Sequence, residues 1–592
     1  MQKPHRTSAI LFLLLLFSNV VAQEAGPLLT TKWGQTEPFR QSCPSDKNGN
    51  RTPPGCGAVA VGQIVNYYRA WNHGFGHTAY DYTQNGQVAG TVDVDFSQCR
   101  FDWDNMLDIY LDNQYTQEQS KAVSDFLFWI GAAMRMQYRM GGSVPANHGC
   151  TMWGIHHFLH FSNKGVIRSR RDYTTAEWIE MLNSNLQARH PVYYSARWRN
   201  GAQDSEHIFV IDGVDAAKRY CVNFGVGNGV TNREGLDINV LPQWGDGTLG
   251  GRGVCWNIGA NMMTDIYPAD GDEYIDDGLI IVRPLILNDD GDLREATLSL
   301  GEAFSLGFRF QHYNIETSTV EYRLCLTDTQ GHVINYLKAT DGRAVRLGPG
   351  YYIDLVKHFR LPADLADGQY EMHFVSRPDD GSEAPWQPVY EALNAGISIQ
   401  VQDGQARLTV PVNHRRSPNL FLRENIRVVE NVYEKQQPGT ALLLSMSNPS
   451  VSAFCDTLRL YITLDGSTEP FLYETEAAVY DGCEADYHIL IPDTTLYLKD
   501  KQFSVTCEYK DQARDEFLPL TLKDETTDTR LVAGNSHAGS HLSIYDIHGR
   551  RCALLPSRDV ESCYPALLHT LPNGIYIVNQ YGQSRKIVID KY

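Results

Sequence analysis

The strongest constraint on this chain is a change of texture near residue 286. Upstream, helical and strand patterns are mixed and Trp, Tyr and Gly are frequent. Downstream, short β-like segments separated by Gly, Asp and Pro run almost to the C-terminus. At 592 residues the chain is too long for one core, and a length prior suggests about three to five domains. In the first region Ala58–Trp71 carries Val61, Ile64, Val65 and Tyr68 on one face, and Lys121–Gln137 carries Val123, Phe126, Leu127, Ile130 and Met134. Thr175–Leu186 is a third helix, capped by Thr174 or Thr175, with Trp178, Ile179 and Leu182 as its apolar face. Strand-like runs follow at 191–194, 207–214 and 220–224. Helices followed by strands predict an α+β domain over residues 23–285.

Beyond it, 305–310, 320–326, 370–375, 397–401, 441–446, 458–463 and 503–509 read as strands at even spacing. They predict two β-sandwich modules, 286–405 and 406–530, jointed near 402–420. Lys523–Ser540 is polar and reads as a linker, and 531–592 as that linker plus a small β unit. Asp289-Asp290-Gly291-Asp292 lacks the Glu that closes a calcium loop and reads as a solvated junction.

Lys3, His5 and Arg6 precede an apolar run, Ile10–Phe17, and Val20-Val21-Ala22 ends in a small residue. This is the pattern of a signal peptide, 1–22, cleaved after Ala22. The run is too short to span about 30 Å of bilayer, and no later stretch predicts an integral membrane segment. The net charge of −19 argues for solubility and against a nucleic-acid partner. Export would permit disulfides among the 12 Cys, which form no CxxC pair and so predict no zinc site. If Cys56 is free, an odd number remains and at least one more is unpaired. His156-His157-x-x-His160 lacks a matching carboxylate motif and reads as one helix face rather than a metal site. Nothing in the sequence calls for a cofactor.

Chemistry concentrates around Pro53-Pro54-Gly55-Cys56-Gly57-Ala58. A Cys between a Pro/Gly turn and an amphipathic helix sits at the positive end of the helix dipole, where backbone N–H groups stabilise a thiolate. Alone, such a Cys is more often an inert buried thiol. Upstream, Trp33-Gly34-Gln35 offers an amide able to donate to an oxyanion beside the Cys N–H. Downstream, Glu206-His207-Ile208-Phe209-Val210-Ile211-Asp212-Gly213 begins a strand with His, and Val222-Asn223-Phe224-Gly225 follows. There the Asn223 amide, on the neighbouring strand, is expected to orient the imidazole. Cys, then His about 150 residues on, then Asn, is the order of papain-like cysteine peptidases.

These segments, together with Cys43-Pro44, Ala60, Gln63, Pro191–Tyr194 and the Gly-rich 245–253, resemble the streptopain family of papain-fold cysteine peptidases over about residues 30–270. The resemblance implies an α+β papain-like catalytic domain with Gln35 as oxyanion donor, Cys56 as nucleophile, His207 as general acid/base and Asn223 as orienter. It implies protein or peptide substrates, and a hydrophobic residue at P2. Phe224, Gly225 and Glu206 would line the substrate site. Two departures stand out. The family has Trp after the Asn, where this chain has Phe224-Gly225-Val226, and commonly Gly before the His, where this chain has Glu206. A carboxylate there is expected to raise the imidazole pKa and alter the S1′ side. Relatives carry a long inhibitory prodomain; here only residues 23–34 lie between the expected cleavage and Gln35. Latency is then absent, or is supplied by a downstream module or a separate inhibitor protein.

The tail, with Tyr545-Asp546-x-x-Gly549-Arg550 and Asn573-Gly574-Ile575-Tyr576-Ile577-Val578, resembles the C-terminal sorting domain of the Bacteroidota type IX secretion system. That implies the type IX machinery as a partner, passage through the periplasm, and a secreted or surface location. Cys552 and Cys563 are unusual there and could bridge within the tail. Two functions from different classes follow: a secreted cysteine endopeptidase, or a catalytically impaired adhesin that binds through its β modules, the latter motivated by Phe224-Gly225-Val226. A third reading is a peptidase whose product is its own processing.

Overall fold

Helices begin where the sequence supplies both an apolar stripe and a start signal. In the computed structural model, α2 (Gln117–Ala133) and α4 (Thr175–Gln187) each open on a capping box, Thr116 with Gln119 and Thr174 with Glu177. The first helix, α1 (Cys56–Tyr68), has no side-chain cap and follows Gly55 at φ 91°. A fourth helix, α3 (His148–Leu159), carries His156 and His157, whereas His160, expected on the same helix face, follows its end at φ 48°. The structure describes residues 24–589, apart from internal stretches of which the longest are 240–256 and 557–573, and side chains as far as residue 522. The leader, the Gly-rich 245–253, the aspartates at 289–292 and the Cys552 and Cys563 side chains lie outside the described residues. Among the described residues no helix is long and apolar enough to cross a membrane.

A hairpin of β1 (His77–Gln84) and β2 (Gln87–Asp95), not read from the sequence, flanks the helices. The central sheet of the first region is antiparallel throughout. It contains β3 (Ile167–Ser169), β4 (Val192–Asn200), β5 (Gln203–Val214), β6 (Tyr220–Asn223), β7 (Asn232–Leu236) and β8 (Ile258–Met263), in the order β3-β8-β4-β5-β6-β7. Both of its faces are covered, so β4 and β5 are apolar at successive positions rather than alternate ones. Tyr193, Ile208 and Val210 face the core shared with α1, α2 and α3. Tyr194, Phe209 and Ile211 face a second core, built with Trp178 and Leu182 of α4 and with Phe224.

Two β regions follow, each with its own core. One, with Phe308, Phe310, Tyr322 and Phe374 at its centre, involves a four-stranded and an eight-stranded sheet. The other, from Leu420 to Leu520, lies with a four-stranded and a five-stranded sheet. Thr529–Val532, read from sequence as linker, is a strand paired antiparallel with Gln502–Val505. The tail strands, 541–546, 551–556, 574–580 and 583–589, form one four-stranded antiparallel sheet.

The region 420–520 is seated on the first. Asp481 accepts from the Thr175 N–H at 2.9 Å, at the first turn of α4. Arg170, 1% exposed, lies 4.0 Å from the centre of the Tyr480 ring. The buried Asn257 donates to Ala478 O at 3.3 Å and accepts from the Tyr487 hydroxyl at 3.0 Å, while its carbonyl accepts from Tyr480. Buried polar groups matched across a boundary are what a fixed seat requires, since each would otherwise be desolvated without a partner.

Candidate active site

Gly55 decides where α1 starts. Its φ of 91° lies in the left-handed region, and a Cβ there would stand 2.4 Å from Ser143 O. Only glycine allows the chain to turn here, and the turn makes Cys56 the first helical residue. Backbone N–H groups of its own turn and of Ile208 on β5 consequently pull the pKa of the Cys56 thiol down. Ile208 follows His207, so the first turn of α1 lies against the stretch of β5 that carries the imidazole. Gly57 meets the same strand: a Cβ on it would be 3.3 Å from Ile208 Cδ1.

Burial dominates the electrostatics of both groups. It pushes the Cys56 thiol up to about 11, against the pull of the Ile208 N–H, with the Glu206 carboxylate adding to the rise. It pushes the His207 imidazole down to about 4, opposed by the Phe224 carbonyl. Glu206 therefore does not set the direction of the imidazole shift, which is opposite to the one expected from sequence, because withdrawal from water outweighs a neighbouring carboxylate. Neither charged form is favoured alone.

The imidazole is held by backbone. His207 Nε2 lies 2.7 Å from Phe224 O, and since a carbonyl can only accept, Nε2 carries the proton and Nδ1 is the basic nitrogen. The ring is nearly parallel to those of Phe209 and Phe224, with centroids at 6.0 and 6.5 Å. Asn223 does not contact the ring as expected. Its Nδ2 donates to Thr31 O at 2.8 Å and to Gln63 Oε1 at 2.9 Å, and its Oδ1 accepts from the Gly225 N–H at 3.1 Å and more distantly from Gln63. With every amide position occupied, Asn223 shapes the turn that presents the Phe224 carbonyl. Phe224 itself is fully buried, so its side chain shields His207 and does not line the substrate surface. Gly225 is part of that same turn.

Gln63 is the residue the sequence reading left without a role. Buried on α1 two turns after Cys56, it accepts from the Trp33 N–H at 3.3 Å as well as joining Asn223. It ties the Trp33-Gly34-Gln35 loop to the Asn223 turn. Gly34 completes the junction, since a Cβ on it would meet Gly227 at 2.9 Å. Gln35 is thereby placed on a partly exposed loop beside the 225–227 turn. The signal was present: Gln63 is the one polar residue in the apolar run Ala58–Val65.

Glu206 is exposed at the rim, 3.4 Å from His148 Nε2. His148 Nδ1 is 3.1 Å from the Tyr193 hydroxyl and its Nε2 3.4 Å from Ser195 Oγ. Nothing in the sequence marked His148. The other histidines serve packing: His157 stacks on Trp153 at 4.5 Å, His160 on Phe75 at 3.5 Å, and the buried His156 has Nδ1 3.2 Å from Phe161 O. Among the described residues no group of His, Cys, Asp and Glu is arranged to hold a metal. Cys43, Cys56, Cys99, Cys325, Cys483 and Cys507 are free thiols.

Comparison with known proteins gives the same region a family likeness. Streptopain of Streptococcus pyogenes serotype M1 is 27% identical over 216 residues, 35% of this chain and 50% of that protein. The chain thus spans about half the length of the streptopains it matches. The thiol protease/hemagglutinin PrtT of Porphyromonas gingivalis is 27% identical over 238 residues, 40% of this chain and 26% of that protein. The solved structure of active wild-type Prevotella intermedia interpain A cysteine protease is 29% identical, covers 41% of this chain and 95% of its own, and has a TM-score of 0.37. The family model of Peptidase C10 matches residues 33–232, a span that contains Gln35, Cys56, Gln63, His207 and Asn223 together.

Proposed function

We propose that the protein is a secreted cysteine endopeptidase acting through Cys56 and His207. The observation that carries the reading is the place of Cys56, the first residue of α1, whose first turn packs on β5 just after His207, where a Cβ on Gly57 would stand 3.3 Å from Ile208 Cδ1. A thiol held at a helix N-terminus next to a buried, backbone-anchored imidazole is a nucleophile–base pair. The likeness of residues 33–232 to the Peptidase C10 family supports it independently.

In this reading His207 Nδ1 takes the thiol proton as the sulfur attacks the scissile carbonyl carbon. The oxyanion forms beside the first backbone N–H groups of α1, with the Gln35 amide as a further donor. The imidazolium then protonates the departing amine and the acyl-enzyme remains on Cys56. Water, deprotonated by His207, attacks the acyl carbon; the acid product leaves and the proton returns to sulfur. Asn223 and Gln63 position the turn and the loop and touch no reacting atom. Export by the N-terminal leader, and through the periplasm by the type IX machinery using the 531–592 tail, belongs to the same proposal.

The test is hydrolysis of casein and of fluorogenic peptides by the protein as secreted. Turnover blocked by iodoacetamide and lost in Cys56→Ala is expected. Absence of turnover under reducing conditions, with Cys56 inert to alkylation, would favour the binding-protein reading instead.

A further inference from the structure

Glu206 has competitors for its charge, and one of them is held elsewhere. On the antiparallel pair β4–β5, Arg197 is the direct partner of Glu206. Opposite charges at such positions normally pair. Here the Arg197 guanidinium donates instead to Glu476 at 2.7 Å, a residue of the 420–520 region. Glu206 keeps His148 at 3.4 Å as its side-chain partner, with the Arg197 charge acting on it only from a distance, and its side chain is 51% exposed. A carboxylate in that position stands one residue from the imidazole and beside the nucleophile.

We infer that Glu206 is a specificity-determining residue that selects peptides with a cationic side chain close to the scissile bond, and that Glu476 keeps it available by holding Arg197. The inference rests on the reading of Cys56 as the nucleophile. A Lys or Arg side chain of the substrate is the complement: a flexible cation able to reach a half-exposed carboxylate without desolvating it fully. Glu476 is a positioning residue. Without its carboxylate Arg197 turns to its cross-strand neighbour and neutralises the rim. The Tyr480, Asp481 and Asn257 contacts hold the 420–520 region against β4 and β8, so that Glu476 arrives at a fixed place.

Two thiol reagents of similar size, cationic 2-aminoethyl methanethiosulfonate and neutral methyl methanethiosulfonate, read the potential at Cys56 directly, with modification located by mass spectrometry of the full chain. A unit charge at this range changes the cationic-to-neutral rate ratio by about fivefold to tenfold. Glu206→Gln is expected to lower the ratio by that factor and Glu476→Gln by about threefold. The double variant Arg197→Gln/Glu476→Gln is expected to restore it, which no loss of packing would do. In peptides with Lys walked from P2 to P2′, kcat/KM relative to the Gln peptide should follow the same order. A ratio indifferent to Glu206→Gln, or a Glu476→Gln loss that Arg197→Gln does not restore, overturns the inference. Alkylation of Cys56 without hydrolysis of any peptide would defeat the peptidase reading, and the reagent ratio would still decide this one.

Discussion

Gln63→Leu tests the link between α1, the Gln35 loop and the Asn223 turn. Leucine fills nearly the same volume, so the change is chiefly one of hydrogen bonding. Two buried donors lose their acceptor: the Trp33 N–H, at 3.3 Å, and one Nδ2 hydrogen of Asn223, at 2.9 Å. Each orphaned buried donor costs about 1–3 kcal/mol, which places the expected destabilisation at about 2–6 kcal/mol. The longer Trp33 bond favours the lower half of that range. Urea unfolding should report it as a lower midpoint at an unchanged slope. Activity separates the positioning role from simple stability. The thiol is governed by the α1 terminus and the Ile208 N–H, neither of which Gln63 touches, so iodoacetamide should alkylate Cys56 within about threefold of the parent rate. In the proposed mechanism the oxyanion side depends on the Gln35 loop, and kcat/KM should fall by about tenfold to a hundredfold. A destabilisation under about 0.5 kcal/mol, or alkylation falling in step with kcat/KM, would refute the assignment.

Two further expectations concern stability. Burial holds His207 and His156 near 4, below their ordinary 6.5, so the unfolded chain binds more protons between those values and stability is lost as pH falls from 6.5 towards 4, by roughly 3 kcal/mol for each group. Denaturant midpoints measured across that window should show the slope, and His207→Gln should remove about half of it. Asp481→Ala removes the acceptor of the Thr175 N–H at the first turn of α4 and the carboxylate 3.9 Å from Arg170, and should destabilise the seat of the 420–520 region by about 1–2 kcal/mol, visible as earlier proteolytic release of that region.

Much of the first region was legible because its signals are local. The cap at Thr174 and the apolar stripes of α1, α2 and α4 depend on residues three or four apart, and each helix lies within a few residues of its sequence reading, although the Thr116 capping box that starts α2 four residues before Lys121 was not read. Gly55-Cys56 was legible for the same reason. What could not be read is long-range pairing. Glu476 meets Arg197, and Asp481 meets Thr175, across hundreds of positions, and nothing in their neighbours distinguishes them from ordinary surface acids. Asn223 shows a subtler failure. Its place on the strand beside β5 was foreseen, but the choice between imidazole and Gln63 is made by rotamers and by a turn that only the folded chain defines.

The two departures from the streptopain pattern consequently carry unequal weight. Replacement of the customary Trp by Phe224 raised the reading of a disabled site, on the premise that an indole guards the imidazole. Position 224 is completely buried, and what fixes His207 Nε2 there is the main-chain carbonyl, which any residue supplies. The benzyl ring already lies near-parallel to the imidazole and against Phe209 at 5.1 Å. The substitution therefore removes aromatic area while leaving the tautomer and orientation of the base untouched, and it is weak ground for inactivity. Glu206 is the opposite case. Glycine before the histidine would present no charge, whereas this carboxylate is half exposed, touches His148, and adds to the rise of the Cys56 thiol. A change that reads as minor in sequence thus adds a half-exposed carboxylate next to the proposed base, and the one that reads as disabling is absorbed by the backbone.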